Sequence, residues 1–398
     1  MTAPDPHGLL EGVEARFAES TDFTVGLEEE YQILDPATRE LTNRFEEMMA
    51  AAPEAVADRF AGELIASEIE YRTVKHDGFT TAARELVEGR LAAFDLADRV
   101  GVDLGVTGVH PFSRWQDQRL IDTPHYRLLD DTLGYVAWTN NTWSTHIHCG
   151  IHDANRAIVI ATAMRSVLPD LLALSANSPI FLGRATRLHS TRTQVFARSF
   201  PRCGIPDAFL SWDEYADYIS FLSRSDSIQK STQIWWSVRP HHAFGTIEIR
   251  ICDGQTDVRH ALAIMALAYA LIARFAAAYD DGQVLPAHPD RLIEENLWRA
   301  IRYGMTGELI DLDTARERPA REAITELCDW VDPVVDGLGI RSFIDDARTL
   351  AGGVNGAMWQ LELFERLGAG PDLVAAVIER TRQSAITMRD ELQKEMVT

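Results

Sequence analysis

FTVGLEEEYQIL, residues 23–34, alternates apolar and polar side chains. Successive side chains of a strand point to opposite faces. Thr24, Gly26, Glu28, Glu30 and Gln32 therefore share one face, and Phe23, Val25, Leu27, Tyr31 and Ile33 share the other. Glu29 is the exception on the apolar side. Three consecutive glutamates are unfavourable in a strand, and Glu28 and Glu30 on one face repel unless a cation bridges them. For this stretch alone, an edge strand kept soluble by its charge is an equal alternative.

The pattern recurs along the chain. In ELIASEIEYRT (63–73), Glu68, Glu70 and Arg72 lie opposite Ile65, Ile69 and Tyr71. Glu63 has the other parity, so it joins Glu70 only if the strand begins after it or a bulge intervenes. In FGTIEIRICD (244–253), Thr246, Glu248, Arg250 and Cys252 oppose Ile247, Ile249 and Ile251. In WSTHIHCGIHD (143–153), His146 and His148 share a face with Ser144, and two histidines at this spacing can chelate one metal. Four strands, each with one apolar and one polar face, predict an α+β fold: an antiparallel sheet backed by helices, its polar face open as a cleft. Carboxylate-rich ligation favours Mg²⁺ or Mn²⁺ over zinc, and carboxylates converging on hard cations suit nucleotide phosphates.

Around these strands the periodicity predicts helices over 45–60, 79–100 and 153–176, a further strand over 101–112, and mainly helical structure from about 257. Residues 1–20 read as a flexible lead-in, and 21–398 as a single catalytic domain without repeats or linkers. Residues 113–141 read as irregular. The Gly-, Pro- and Arg-rich stretch 176–209 is a candidate lid. ALAIMALAYALIARFAAAY (261–279) contains Arg274 and reads as a buried helix rather than a membrane span.

The chain has 398 residues and a formal net charge of −22, which argues against nucleic acid or an anionic membrane as a partner. Only three of its 38 basic residues, Lys75, Lys230 and Lys394, are lysine, and no P-loop sequence occurs. Any phosphate or carboxylate must be gripped by arginine or by metal ions. Arg184, Arg187, Arg192, Arg198 and Arg202 cluster in the 176–209 stretch, and Arg239 precedes Pro240. Four widely spaced cysteines without a CxxC pair, and an N-terminus without a signal-peptide pattern, point to the cytoplasm.

FTVGLEEEYQILDPATREL, SEIEYRT, THIHCGI, ANSPIFLGR…TRTQVFARSFPRCGIP, VRPHHAFGTIEIRICD and ENLWRAIRYGMTGELID occur in this order. Together they resemble the glutamate–cysteine ligase type 2 family, especially its carboxylate–amine ligase (YbdK-like) branch, across about residues 22–312. The resemblance implies a glutamine-synthetase-like catalytic core: a curved, mainly antiparallel sheet with helices on its outer face. It implies an ATP-dependent ligase that joins a small-molecule carboxylate to an amine through an acyl phosphate, with Mg²⁺ between sheet and phosphates.

Carried over by motif, Glu28, Glu30, Glu70, Glu248, His148 and Glu63 are candidate metal ligands, with His148 the better match and His146 its support. Glu248 and Arg250 are candidate catalytic residues. Arg184, Arg192, Arg198, Arg239 and His146 are candidates for binding substrate or nucleotide. Glutamate and cysteine are the default substrates, and a homodimer is the family habit. The chain departs from the branch in STHIHCGI and in RATRLHS after the GR of ANSPIFLGR, which leaves the acid substrate open. The alternative is an ATP-independent, metal-dependent amidohydrolase, because HxH on a strand also marks that class.

Overall fold

The computed structural model describes residues 6–395. Among them, seven strands form one sheet: β1 (Val25–Leu34), β2 (Phe60–Ala61), β3 (Glu68–Arg72), β4 (Asp103–Gly105), β5 (Thr145–Gly150), β6 (Val238–His241) and β7 (Thr246–Ile249). Their order is β6-β7-β5-β1-β3-β2, with β4 also on β1, and every pairing is antiparallel. One edge is the two-residue β2, and the other is β6, which contains Pro240.

The helices that position this sheet are α1 (Val13–Glu19), α2 (Phe79–Val100), α3 (Pro124–Leu133), α4 (Ala154–Met164), α5 (Leu168–Ser175), α6 (Thr191–Phe196), α7 (Val258–Asp280), α8 (Asp290–Tyr303), α9 (Arg341–Gly352) and α10 (Pro371–Glu395). The apolar face, with Val25, Leu27, Ile33, Ile69, Ile147 and Ile249, is buried in one continuous core. Helix α2 lies against β1 and β3, α4 against β6 and β7, and α7 against β5; α9 and α10 then cover α7. The run Ala154–Ser175 and the helix α7 are apolar and long enough to span a membrane, but 89% of each apolar window is buried inside the protein.

Glu29, the exception on the apolar face, has a buried partner. Arg90 of α2 grips both of its carboxylate oxygens, one at 3.0 Å, and donates onward to the carbonyls of Thr256 (3.0 Å) and Gln255 (2.9 Å). The Tyr31 hydroxyl donates to Glu29 at 2.8 Å. Close packing of α2 on β3 depends on Gly89: a Cβ there would lie 2.1 Å from the Tyr71 ring.

Several sequence expectations are corrected. The helix expected over 45–60 is two pieces, Phe45–Ala51 and Glu54–Ala57, separated at Pro53, which lacks the N–H a continuous helix needs. The strand over 101–112 shrinks to β4. Beyond it, buried His110 organises a turn: its Nδ1 accepts from the amides of Phe112 (3.2 Å) and Ser113 (2.9 Å). The stretch 113–141 contains α3, with Thr123 as its N-cap and Pro124 in its first turn. Residues 1–5 lie outside the described part. In the rest of the expected lead-in, α1 buries Val13 and Phe17 and packs on α4.

Candidate active site

The strand registers assemble the polar face residue by residue. Glu30 pairs with Glu70, and Glu28 with Arg72 on one side and His146 on the other. His148 stands between Gly26 and Glu248, and Arg239 is opposite Glu248. Glu28, Glu30, Glu63, Glu70, Glu248, His146, His148, Arg192, Arg239 and Arg250 all line one cavity of about 500 Å³. Glu63 lies in the irregular chain before β3, so strand parity does not apply to it.

One half of this cavity is charge-balanced. Glu248 accepts from Arg239 Nε at 2.6 Å and from Arg250. Burial pushes its carboxyl up, but Arg239, Arg250 and His148 outweigh burial and hold it well below the ordinary carboxylate range. Glu28 behaves alike: burial is overcome by His148 and His146, whose ring nitrogens lie 3.3 and 3.1 Å from its oxygens. His148 is itself pushed up, because Glu248 and Glu28 outweigh its burial. The other half is less compensated: Arg72 lies 3.5 Å from Glu70. Burial and neighbouring carboxylates raise Glu68 and Glu70 well above the ordinary value, and Glu63 to about 8.

A carboxylate cluster with uncompensated charge fits divalent cations. Two groups have donor atoms within 4.8 Å of one another: Glu28, His146 and Glu248, and Glu30, Glu70 and His146. Mostly carboxylate oxygen with one imidazole is a hard donor set, and these residues fit Mg²⁺ or Mn²⁺. His146 belongs to both groups and His148 to neither. The Nδ1 of His148 is engaged by the Thr246 hydroxyl at 3.0 Å. The Nε2 of His148 lies 3.3 Å from Glu28 and 3.8 Å from Glu248, and the two nitrogens of His146 meet Glu28 (3.1 Å) and the Ser144 hydroxyl (2.8 Å).

Three of the expected arginines are placed differently. Arg184 is exposed on a short hairpin, and Arg198 pairs with Glu294 of α8; neither lines the cavity. Arg192 lines it, but its terminal nitrogens donate to the carbonyls of Ile251 and Arg250, both at 3.1 Å. These bonds tie the loop to the end of β7. Asp253 reinforces this tie by accepting from the Asn177 amide (2.8 Å), Ser178 (2.6 Å) and Ser190 (2.8 Å). The first part of the 176–209 stretch is therefore stitched down rather than free to act as a lid.

The sequence reading missed Glu68, Ser144 and Tyr126, which also line the cavity. Glu68 shares the Glu70 face, and Ser144 shares the His146 face, where its hydroxyl donates to Glu30 at 2.8 Å. Those two signals were available in the alternation. Tyr126 carried none, because α3 brings it in from outside the sheet.

A second cavity of about 510 Å³ adjoins the first and shares Glu28, Arg72, His148, Ala243 and Phe244 with it. Arg59 and Lys75 line it, with Asp58 3.3 Å from Arg59. Phe244, 61% exposed, stacks on His241 with ring centroids 4.4 Å apart.

The family model described as glutamate–cysteine ligase family 2 matches residues 24–378. A Rubrobacter xylanophilus protein with the provisional name glutamate–cysteine ligase 2-2 is 38% identical over 81% of this chain and 83% of its own length. A Solibacter usitatus protein provisionally named glutamate–cysteine ligase 2 is 36% identical over 90% of this chain and 93% of its own. Among solved structures, the glutamate–cysteine ligase of Francisella tularensis, in complex with AMP, aligns with a TM-score of 0.62 at 12% identity, covering 94% of this chain and 95% of that one. A bifunctional glutathione synthetase from Pasteurella multocida aligns with a TM-score of 0.65 at 13% identity, covering 96% and 54%. Nothing favours the amidohydrolase alternative: HxH lies inside an antiparallel sheet, not in a parallel eight-stranded barrel.

Proposed function

The chain belongs to glutamate–cysteine ligase family 2 and is an ATP-dependent carbon–nitrogen ligase, and from that premise we propose that the two adjoining cavities divide its substrates. ATP occupies the cavity with Arg59 and Lys75, its base against the exposed ring of Phe244. The acid and the amine occupy the cavity beneath Arg250. Glutamate and cysteine, the pair in the family's description, are the default substrates.

A free carboxylate is a poor electrophile, which is the chemical reason for ATP. A carboxylate oxygen of the acid attacks the γ-phosphorus, and the bond to ADP breaks. The amine nitrogen then attacks the acyl carbon. The carbon–oxygen bond to phosphate breaks with its electron pair on the phosphate, and the proton lost by nitrogen passes to a carboxylate or water in the cavity. Mg²⁺ held by Glu28, Glu30, Glu70, Glu248 and His146 would supply positive charge that offsets the charge on the transferring phosphoryl group. Arg250, oriented by Glu248, faces the same place and adds a fixed guanidinium. The walls of the cavity limit the access of water to the acyl phosphate.

The observation that carries this reading is the convergence of Glu28, Glu30, Glu70, Glu248 and His146 on one sheet face beside Arg250. The test is phosphate release from ATP with Mg²⁺, across a matrix of acids and amines offered singly and in pairs. Release that requires one acid together with one amine is expected. Absence of release with every pair, alongside metal-dependent amide hydrolysis without ATP, would sink it.

A further inference from the structure

Of the residues common to both cavities, Arg72 is the only arginine or lysine. Neither of the two metal-binding groups includes it, and it does not touch Glu248. It is the last residue of β3, on the face that carries Glu68 and Glu70, and it stands opposite Glu28 in the register. Its place at the strand end leaves the side chain 47% exposed, whereas Glu70, two residues earlier, is 5% exposed.

The other arginines around the two cavities are more firmly engaged. Arg239 and Arg250 hold Glu248, and Arg192 donates to two backbone carbonyls. Arg59 lies between Asp58 at 3.3 Å and Glu85 at 3.5 Å. Lys75 lines the second cavity alone. Arg72 is fixed in its main chain, where its N–H donates to the carbonyl of Arg59 at 2.9 Å. Its guanidinium is held loosely: among the described residues its one ion pair is with Glu70, at 3.5 Å from Nε. The long stem is therefore free to swing the guanidinium between the two cavities.

A phosphoryl group that leaves ATP in one cavity and reaches the acid in the other must cross between them. Its oxygens carry negative charge throughout, and a guanidinium can grip two of them at once. Resting on the ligase reading above, we propose that Arg72 is a catalytic residue that holds these oxygens during the crossing, from the γ-phosphate of ATP to the acyl phosphate. Arg250 is anchored by Glu248 and serves one point of the path. Arg72, without such an anchor, keeps contact along it. The bonds made and broken are those of the transfer already described, and Arg72 stays protonated from start to finish.

The experiment takes the best acid–amine pair from the phosphate-release matrix and compares the parent enzyme with Arg72→Gln and Arg72→Lys, each checked for folding by circular dichroism. A contact that matters most while the phosphoryl group is moving acts on kcat. Arg72→Gln is expected to lower kcat about a hundredfold, with KM for ATP and for the acid changed less than about threefold. Arg72→Lys keeps the charge and loses the two-pronged grip, and its kcat is expected to fall only about tenfold. Should Arg72→Gln fail to fold, Arg72→Lys carries the same comparison. An unchanged kcat in the folded variants overturns the proposal and leaves the ligase intact. A raised KM for ATP or for the acid at unchanged kcat overturns it as well, because Arg72 would then bind a substrate at rest and not the group in transit. Absence of phosphate release by the parent with every pair would overturn the ligase reading itself.

Discussion

Glu28 is the carboxylate on which both histidines of the HxH pair converge, and Glu248 is the one held by two arginines. Glu28→Gln and Glu248→Gln keep shape and remove charge. Each is expected to lower ATP turnover by at least about a hundredfold while circular dichroism stays unchanged. Chelation by EDTA is expected to abolish turnover, with recovery on adding Mg²⁺; full activity in EDTA would refute the metal assignment. Residue-level reading was good wherever a strand governed direction. Alternation alone placed Glu28, Glu30, Glu70, Glu248 and the two histidines on one face. It says nothing of Arg184 and Arg198, because loop arginines have no periodicity to say which way the backbone turns. Nor does it separate His146 from His148, which share a face and differ only in their neighbours across the register.

At the scale of elements, α2 is the helix whose docking the site most depends on, because it lies behind β1 and β3. Its extent, 79–100, was legible from periodicity, and the structure ends it at Gly101 in a left-handed conformation (φ 74°). Its partner was not legible: Glu29 looked misplaced until Arg90, 61 positions away, supplied the counter-charge. Removing one member strands the other in the core. Arg90→Met is expected to cost about 3–5 kcal/mol in urea denaturation, and Arg90→Met with Glu29→Gln less than the single change. A single-variant cost below about 1 kcal/mol would mean that the pair does not hold the helix. The truncated strand at 101–112 shows the opposite limit. Its composition permits extension, but buried His110 captures two backbone amides and turns the chain.

For the whole molecule, three buried histidines outside the cavity contribute to the response to acid. Burial lowers His110 to about 3, and His189 and His260 to about 4, from an ordinary value of 6.5. A depressed histidine favours the neutral form in the folded state. Its stabilisation is present above about pH 6.5 and is lost as pH falls toward the folded-state values. Asp170, raised by burial to about 7, runs the other way, losing stability as pH rises from about 4 to 7. Glu63, Glu68 and Glu70 in the cavity, and Asp253, are raised like Asp170, so the slope with pH is the balance of the two sets. Removing one carboxyl tilts that balance toward the histidines: between pH 7 and pH 5 the urea midpoint of Asp170→Asn is expected to fall relative to that of the parent, because the stability Asp170 gains on acidification is gone. A difference between the two midpoints that does not change with pH contradicts this balance.

The two ends of the sheet have a further consequence. A strand with a long open edge is a template for another chain, and sheet proteins that leave one exposed risk self-association into fibrils. Here one end closes on a two-residue strand, and the other on a four-residue strand interrupted by a proline, which has no N–H to donate. Neither offers a useful length of backbone for zippering. Pairing of copies of this chain would then proceed through helical surfaces, where contacts are side chain on side chain and come apart without disturbing the sheet that carries the carboxylates.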